Sequence, residues 1–321
     1  MVNLKNDIMK AITIEEFGGR DKLQMNYMER PNPGEGEVLV RIKATSVNPV
    51  DYKLREGFLK GRLPHQFPVI PGWDMSGVIE GRGHSARRFD QGEEVWAYAR
   101  RPLVQNGTYA EYISLPESYL ARKPRSLTFE EAASVPLTGL TAYQALFVAG
   151  QLQAGQTVLL IGASGGVGTM AVQLAKIQGA NVIAVASGKN KDFVLNELGA
   201  DQFVDYRKEN FLEAQAGQAD LVFDMAGGAQ LQQTDKILKK GGKIISIAGK
   251  FEDTTMLKKE GKSFKYVFVE PHSRQLDELH DYIENSRLKP FVQDIFPLAD
   301  IQKAHEMIET GHTTGKIAIT V

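Results

Sequence analysis

Three groups of residues have types and spacings suited to chemistry. The first is the turn Gly162-Ala163-Ser164-Gly165-Gly166-Val167-Gly168, which follows the apolar run Thr157 to Ile161. After it, Val167, Met170, Ala171, Leu174 and Ala175 repeat at helical spacing on one face. Glycines at such a place allow a tight turn, close approach of a phosphate to the backbone, and close packing of helix on strand. In the strict Gly-x-Gly-x-x-Gly frame the three positions are Ala163, Gly165 and Gly168, so the first is not glycine, although Gly162 precedes it. A helix starting there aims its free N–H groups and positive dipole end at a phosphate. The turn reads as a dinucleotide site with contacts from Gly165, Gly166, Val167 and Gly168; the plainer alternative is a strand-to-helix turn that holds no ligand. The second group, Ser187, Lys189 and Lys191, ends the next apolar strand. NAD sites usually carry a carboxylate there for the ribose hydroxyls. A hydroxyl and two ammonium groups instead suit the 2′-phosphate, with its charge of about −2, and so favour NADPH. The third group, Asn48, Tyr52 and Lys53, offers an amide, a phenol and an ammonium as donors to an oxyanion or as proton sources. On a strand, Tyr52 and Lys53 would face opposite ways; in a turn or helix both can serve one ligand.

The elements that must position these groups fall into two kinds. The first third is β-rich: Val38 to Ala44 alternates after the turn Pro31-Asn32-Pro33-Gly34, and Val78-Ile79, Val95 to Tyr98 and Tyr109 to Leu115 suggest further strands. Strands without intervening helices imply a mostly antiparallel sheet or barrel. From about Leu127 short apolar strands alternate with helices: Thr157 to Ile161, Val182 to Ala186, Phe203-Val204, Leu221 to Phe223, Lys243 to Ala248, and Lys265 to Val269 as the last. That alternation predicts an α/β, doubly wound parallel sheet inserted into the β-rich domain. The expected boundaries are 1–125 for the first part of the β-rich domain, 126–265 for the nucleotide domain, and 266–321 for its last strand and the return. The return carries helices near Gln275 to Asn285 and Leu298 to Thr310, then a strand from Lys316 to Val321.

Bulk properties narrow the classes. A chain of 321 residues favours two domains. A net charge of −1 gives no grip on nucleic acid or an anionic membrane, and no apolar run is long enough to span a bilayer. The leading tail, Met1 to Lys10, lacks the apolar middle of a secretory signal, so a cytoplasmic protein is expected. With no cysteine there are no disulfides, no thiol catalysis and no thiolate-bound metal. None of the six histidines (65, 84, 272, 280, 305 and 312) pairs with another at metal-ligand spacing, and His305, beside Ile301, Ala304 and Ile308 on a helical face, reads as a partly buried structural residue.

Several further motifs, in this order, carry a family resemblance: Pro33-Gly34-Glu35-Gly36-Glu37-Val38-Leu39-Val40, Val47-Asn48-Pro49-Val50-Asp51-Tyr52-Lys53, Pro71-Gly72-Trp73-Asp74, Leu137-Thr138-Gly139-Leu140-Thr141-Ala142-Tyr143, the glycine turn, and Gly315-Lys316-Ile317. From about Met9 to Val321 the chain resembles the zinc-free quinone oxidoreductase and enone (alkenal) reductase branch of the medium-chain dehydrogenase/reductase superfamily. The resemblance implies a Rossmann nucleotide domain inserted into a GroES-like catalytic domain. The zinc-dependent alcohol dehydrogenases of that superfamily carry a cysteine ligand in the Asn48 region, a Gly-His-Glu motif where this chain has Gly72-Trp73-Asp74, and a four-cysteine lobe; none is present here. A zinc-free member reduces activated acceptors, whose charge on hydride addition spreads onto a carbonyl or quinone oxygen. The resemblance places the Asn48 to Lys53 segment in the cleft between the domains. It also implies cofactor contacts from Tyr206, Ile247, Ala248, Phe268, Val269 and Lys316, the last reaching into the cleft from the C-terminal segment, and a homodimer through the sheet edge near Lys265 to Val269. Two charged stretches depart from the family pattern, Gly81 to Arg88 and Lys250 to Lys262. The competing functions are a nucleotide-binding structural or regulatory protein without turnover, and an alcohol dehydrogenase.

Overall fold

The computed structural model describes residues 8–321; residues 1–7, most of the leading tail, lie outside it. The chain forms two compact units. One takes the chain up to Leu137 with Glu270–Asn285 and Pro290–Val321; the other takes Thr138–Val269 and Ser286–Lys289.

The first unit opens with β1 (Ile8–Thr13) and β2 (Gln24–Glu29), an antiparallel pair, and continues with β3 (Glu37–Val47), α1 (Pro49–Arg55), β4 (His65–Ile70), β5 (Asp74–Arg82), β6 (Glu94–Tyr98), β7 (Val104–Asn106), β8 (Tyr112–Pro116), β9 (Leu120–Arg122) and α2 (Phe129–Ala133). Helix α3 (Pro136–Tyr143) carries the chain into the second unit, which contains β10 (Thr157–Ile161), α4 (Gly166–Ile177), β11 (Asn181–Ala186), β12 (Gln202–Asp205), α5 (Phe211–Ala214), β13 (Ala219–Asp224), β14 (Leu238–Ser246), α6 (Thr255–Lys259) and β15 (Ser263–Tyr266). The return to the first unit brings α7 (Ser273–Glu284), β16 (Val292–Pro297), α8 (Ile301–Glu309) and β17 (Lys316–Thr320).

In the first unit a seven-stranded sheet runs β16-β17-β3-β5-β6-β9, with β8 also on β3. The alternation read in Val38, Val40 and Ile42 is realised: these three pack inward with Met75, Ile79, Phe89, Val95, Ile113 and Leu115. In the second unit six parallel strands run β12-β11-β10-β13-β14-β15, and the strand order reverses between β10 and β13. Such a reversal is where doubly wound sheets open a ligand crevice.

The structure moves two limits. Residues 126–137 pack with the first unit rather than the nucleotide unit: Ser76 Oγ donates to the Phe129 carbonyl at 2.6 Å, and the Leu137 N–H donates to Asp74 Oδ1 at 2.6 Å. Helical periodicity shows that a helix forms, not which core receives it. The last parallel strand ends at Tyr266, so only the start of the expected Lys265 to Val269 segment is in the ladder. The basic stretch from Gly81 is a held turn, since Glu117 Oε2 accepts from the backbone N–H groups of Arg87 and Arg88 at 2.7 and 2.8 Å.

Candidate active site

The glycine turn has the shape a dinucleotide needs. Gly162 sits at φ +91°, where side chains are strained, and Gly165 caps helix α4. A Cβ on Gly168 would lie 2.2 Å from the Gly162 carbonyl oxygen, so helix and strand end touch backbone to backbone. A Cβ on Gly165 would meet nothing nearer than that same oxygen at 3.5 Å. The turn is therefore bare backbone at a helix start, whose first N–H groups have no intrahelical acceptor. These residues fit a pyrophosphate.

Around it, Ser187 is buried at the end of β11, while Lys189 and Lys191 are exposed. Asn190 Nδ2 donates to Ser164 Oγ at 2.8 Å, tying this turn to the glycine turn. Beyond the neighbouring strand β12, Tyr206 is exposed, with the Arg207 guanidinium 5.7 Å from its ring centre. The sequence reading does not single out Asn190 and Arg207; Arg207 stands two residues past β12, the strand that pairs with β11. The Asp205 carboxylate lies against Gly188 and accepts from the Arg207 N–H at 3.1 Å. At the end of β14, Ile247 is half-buried and Ala248 exposed. Their loop is shaped by two buried residues: Ser246 Oγ donates to Asp224 Oδ2 at 2.9 Å and accepts from the N–H groups of Ala248 and Gly249, both at 3.2 Å. Phe268 is partly exposed and Val269 buried.

In the first unit, Asn48, Asp51, Asp74, Tyr109, His305 and Lys316 are all buried. Asn48 caps α1, and its N–H donates to Asp51 Oδ2 at 2.7 Å. The Asn48 amide is engaged at both ends: Nδ2 donates to Asp74 Oδ2 at 2.7 Å, and Oδ1 accepts from Lys316 Nζ at 2.6 Å. Lys316 also donates to the Val47 carbonyl at 2.8 Å and lies 3.7 Å from Asp74 Oδ2. These two residues depart from expectation, Asn48 as a substrate or ribose donor and Lys316 as a group reaching a cleft; both are bonded inside the unit. The cause is register: β17 pairs with β3 through Ile317 and Val47, which sets the ammonium beside a buried carboxylate. Burial pushes the Asp74 carboxyl up and the Lys316 ammonium down, and each opposes that shift in the other. Ser46 Oγ completes the Asp74 shell at 2.7 Å.

The segment from Pro49 is a helix, so Tyr52 and Lys53 are not forced to opposite faces. Tyr52 is half-buried and Lys53 exposed. Burial, then the carboxylates of Glu56 and Glu309, push the Tyr52 phenol above its ordinary value. It therefore keeps its proton through neutral pH and can donate to an oxyanion.

Asp51 is fully buried, and burial raises its carboxyl from 3.8 to about 7. Between those values the folded chain holds a proton that the unfolded chain has released. Folding stability therefore falls as pH rises through this window, by about 1.4 kcal/mol per pH unit from this group. Asp51→Asn keeps an acceptor oxygen and removes the titration. Denaturant unfolding at pH 4 and pH 7 is expected to show the variant gaining on the wild type, on the order of 4 kcal/mol across the interval. Equal slopes for the two proteins would contradict the buried, raised carboxyl.

Comparison with known proteins agrees with this geometry. Residues 34–125 match the alcohol dehydrogenase GroES-like domain, and residues 198–319 match the zinc-binding dehydrogenase family. The chain is 34% identical over 319 residues to 2-methylene-furan-3-one reductase of Solanum lycopersicum, covering 97% of this chain and 79% of that protein. It is 33% identical to the chloroplastic NADPH-dependent alkenal/one oxidoreductase of Arabidopsis thaliana, with the same coverage. The quinone oxidoreductase structure from Coxiella burnetii superposes with a TM-score of 0.89 at 33% identity, over 98% of this chain and 99% of that one. The zinc named in one family description does not fit the residues here. Trp73 is buried edge-on to Tyr98, with ring centres 6.2 Å apart, and Asp74 is surrounded by Ser46, Asn48, the Leu137 N–H and the Lys316 ammonium. An ammonium at that carboxylate repels a second cation, and neither indole nor ammonium ligates zinc. Fold, glycine turn and relatives agree: the chain belongs to the medium-chain dehydrogenase/reductase superfamily, a family of oxidoreductases.

Proposed function

We propose that this protein is a zinc-independent, NADPH-dependent reductase of α,β-unsaturated carbonyls or quinones. The observation that carries the reading is helix α1 presenting a protonated phenol, Tyr52, and an ammonium, Lys53, while the motif that binds metal in other members is closed by Trp73, Asp74 and Lys316. The bound dinucleotide supplies the hydride. The second unit holds it through the glycine turn, with Tyr206, Ile247, Ala248 and the Phe268 backbone as further contacts. As hydride reaches the acceptor, negative charge grows on its oxygen, and Tyr52 or Lys53 donates a hydrogen bond there and returns a proton. The relatives named for alkenal, furanone and quinone reduction support this class of acceptor. Mixing the protein with NADPH and a panel of enones and quinones tests it. Loss of NADPH absorbance with at least one acceptor is expected; tight binding without any turnover would instead favour the nucleotide-binding, non-enzymatic alternative.

Selectivity for NADPH follows from the charges after β11 and β12. Lys189→Glu, or Arg207→Glu, is expected to raise the Kd for NADPH about 10- to 100-fold with little change for NADH, the worth of one charge-assisted contact to a phosphate. Equal weakening of both cofactors, read by fluorescence titration, would place the 2′-phosphate elsewhere. Assembly is proposed as a homodimer. Strand β15 is the last of its sheet and bonds only to β14 in the ladder, and an open edge is a ready pairing surface. Light scattering should give twice the 35.5 kDa chain mass, and a monomer at micromolar concentration refutes it.

A further inference from the structure

We propose that Tyr109 and His305 are positioning residues that clamp helix α1 from its inner face and so fix where Tyr52 and Lys53 point. The inference rests on the reading that α1 supplies the oxyanion donor.

Helix α1 has seven residues, too few to hold a conformation unaided. Its orientation must come from ties to its surroundings, and these are specific. Asp51 and Arg55 stand four apart, on one face of the helix, and both are wholly buried. Arg55 is anchored by the Gly18 carbonyl at 3.1 Å and by Glu309 Oε1 on α8 at 2.8 Å. Its Nη1 lies 3.1 Å from His305 Nδ1, also on α8.

An arginine can only donate, and that sets the direction of the whole chain. His305 Nδ1 must accept, so the ring proton sits on Nε2, 3.3 Å from Tyr109 Oη. That oxygen accepts from the imidazole and gives its own proton to Asp51 Oδ2 at 3.1 Å, the same oxygen that caps α1 through the Asn48 N–H. Burial, reinforced by the Arg55 charge, lowers His305 to about 3, so the imidazole stays neutral and the direction does not reverse in any ordinary buffer. The series Arg55, His305, Tyr109, Asp51 thus ties both ends of α1 to α8. At about 100° per residue, Lys53 falls on the opposite side of the helix and Tyr52 on the half-buried flank between the two. A seven-residue helix held at one end only can pivot, and a small misplacement of a catalytic donor costs rate far more than affinity.

The test compares Tyr109→Phe, His305→Leu and His305→Gln in the full-length protein. Glutamine can accept from Arg55 and donate to Tyr109 as the neutral imidazole does; leucine can do neither. Tyr109→Phe and His305→Leu are expected to lower kcat for an enone about tenfold, with Kd for NADPH within about twofold, and His305→Gln is expected to recover most of kcat. Hydrogen exchange by mass spectrometry should show the peptide spanning 49–56 exchanging about tenfold faster in Tyr109→Phe, with β3 and β5 unchanged. This readout needs no turnover, so it judges the clamp even if the wild type reduces nothing, an outcome that would sink the functional reading alone. An unchanged kcat in Tyr109→Phe, a His305→Gln variant as slow as His305→Leu, or faster exchange spread evenly over the unit each overturns the proposal. Should His305→Leu fail to fold, Tyr109→Phe decides by itself.

Discussion

Gly165→Ala is expected to raise the Kd for NADPH at least about tenfold while the protein stays folded. The two halves of that statement have separate causes. The backbone at Gly165 is extended, with φ −80° and ψ 177°, which alanine adopts freely, and the new methyl would meet only the Gly162 oxygen at an ordinary 3.5 Å. Losing glycine at a helix cap costs up to about 1 kcal/mol, a fall in Tm of no more than about 4 °C for a protein of this size. The methyl instead fills the place where a pyrophosphate approaches the backbone. Gly168→Ala is the contrast. There the methyl lies 2.2 Å from one carbonyl oxygen and 2.6 Å from the Ala163 carbonyl carbon and oxygen, all backbone atoms that cannot step aside. That variant is expected to lose stability and cofactor together. Titration by fluorescence with melting curves on both variants separates the cases; a Gly165→Ala protein that binds NADPH like the wild type would place the pyrophosphate elsewhere.

Tyr52→Phe and Lys53→Ala address the donor. Removing the group that faces the growing oxyanion is expected to lower kcat about 100-fold or more, with Kd for NADPH nearly unchanged. Both side chains stand on α1, so one variant is expected to show the large fall and the other a smaller one. Tyr52 has the stronger claim from its surroundings, because half-burial and two nearby carboxylates keep its proton in place, whereas Lys53 is in open water, which screens its charge. Single-turnover kinetics would separate chemistry from release. Wild-type kcat in both variants would show that α1 is not the donor.

Much of the fold was legible because periodicity reports burial. The alternation at Val38, Val40 and Ile42 named an inward face that the structure buries, whereas the stripe from Val167 to Ala175 named the helix but not its burial: Val167 is half-buried, and Thr169, Val172 and Gln173 between the stripe positions are buried too. The glycine turn was legible because close backbone approaches leave no substitute for glycine at Gly168. Long-range register was not legible. Nothing local to Lys316 says that β17 lies beside Val47, so its ammonium was assigned to a cofactor rather than to Asn48 and Asp74. His305 was read as partly buried from its helical face. Its full burial, against Arg55 and Tyr109, depends on residues about 250 and 196 positions away. The boundary near 126 has a similar cause: a hydrogen bond from Ser76, about 50 residues earlier, to the Phe129 carbonyl ties α2 to the first unit.

The most direct test of the central claim follows the hydride itself. NADPH carrying deuterium on either face of nicotinamide C4 is turned over with an enone, and the product is read by mass spectrometry and NMR. One of the two labelled cofactors is expected to deliver its deuterium to the carbon β to the carbonyl, leaving the carbonyl intact. Deuterium on the carbonyl carbon, giving an alcohol, or no transfer from either face would contradict it.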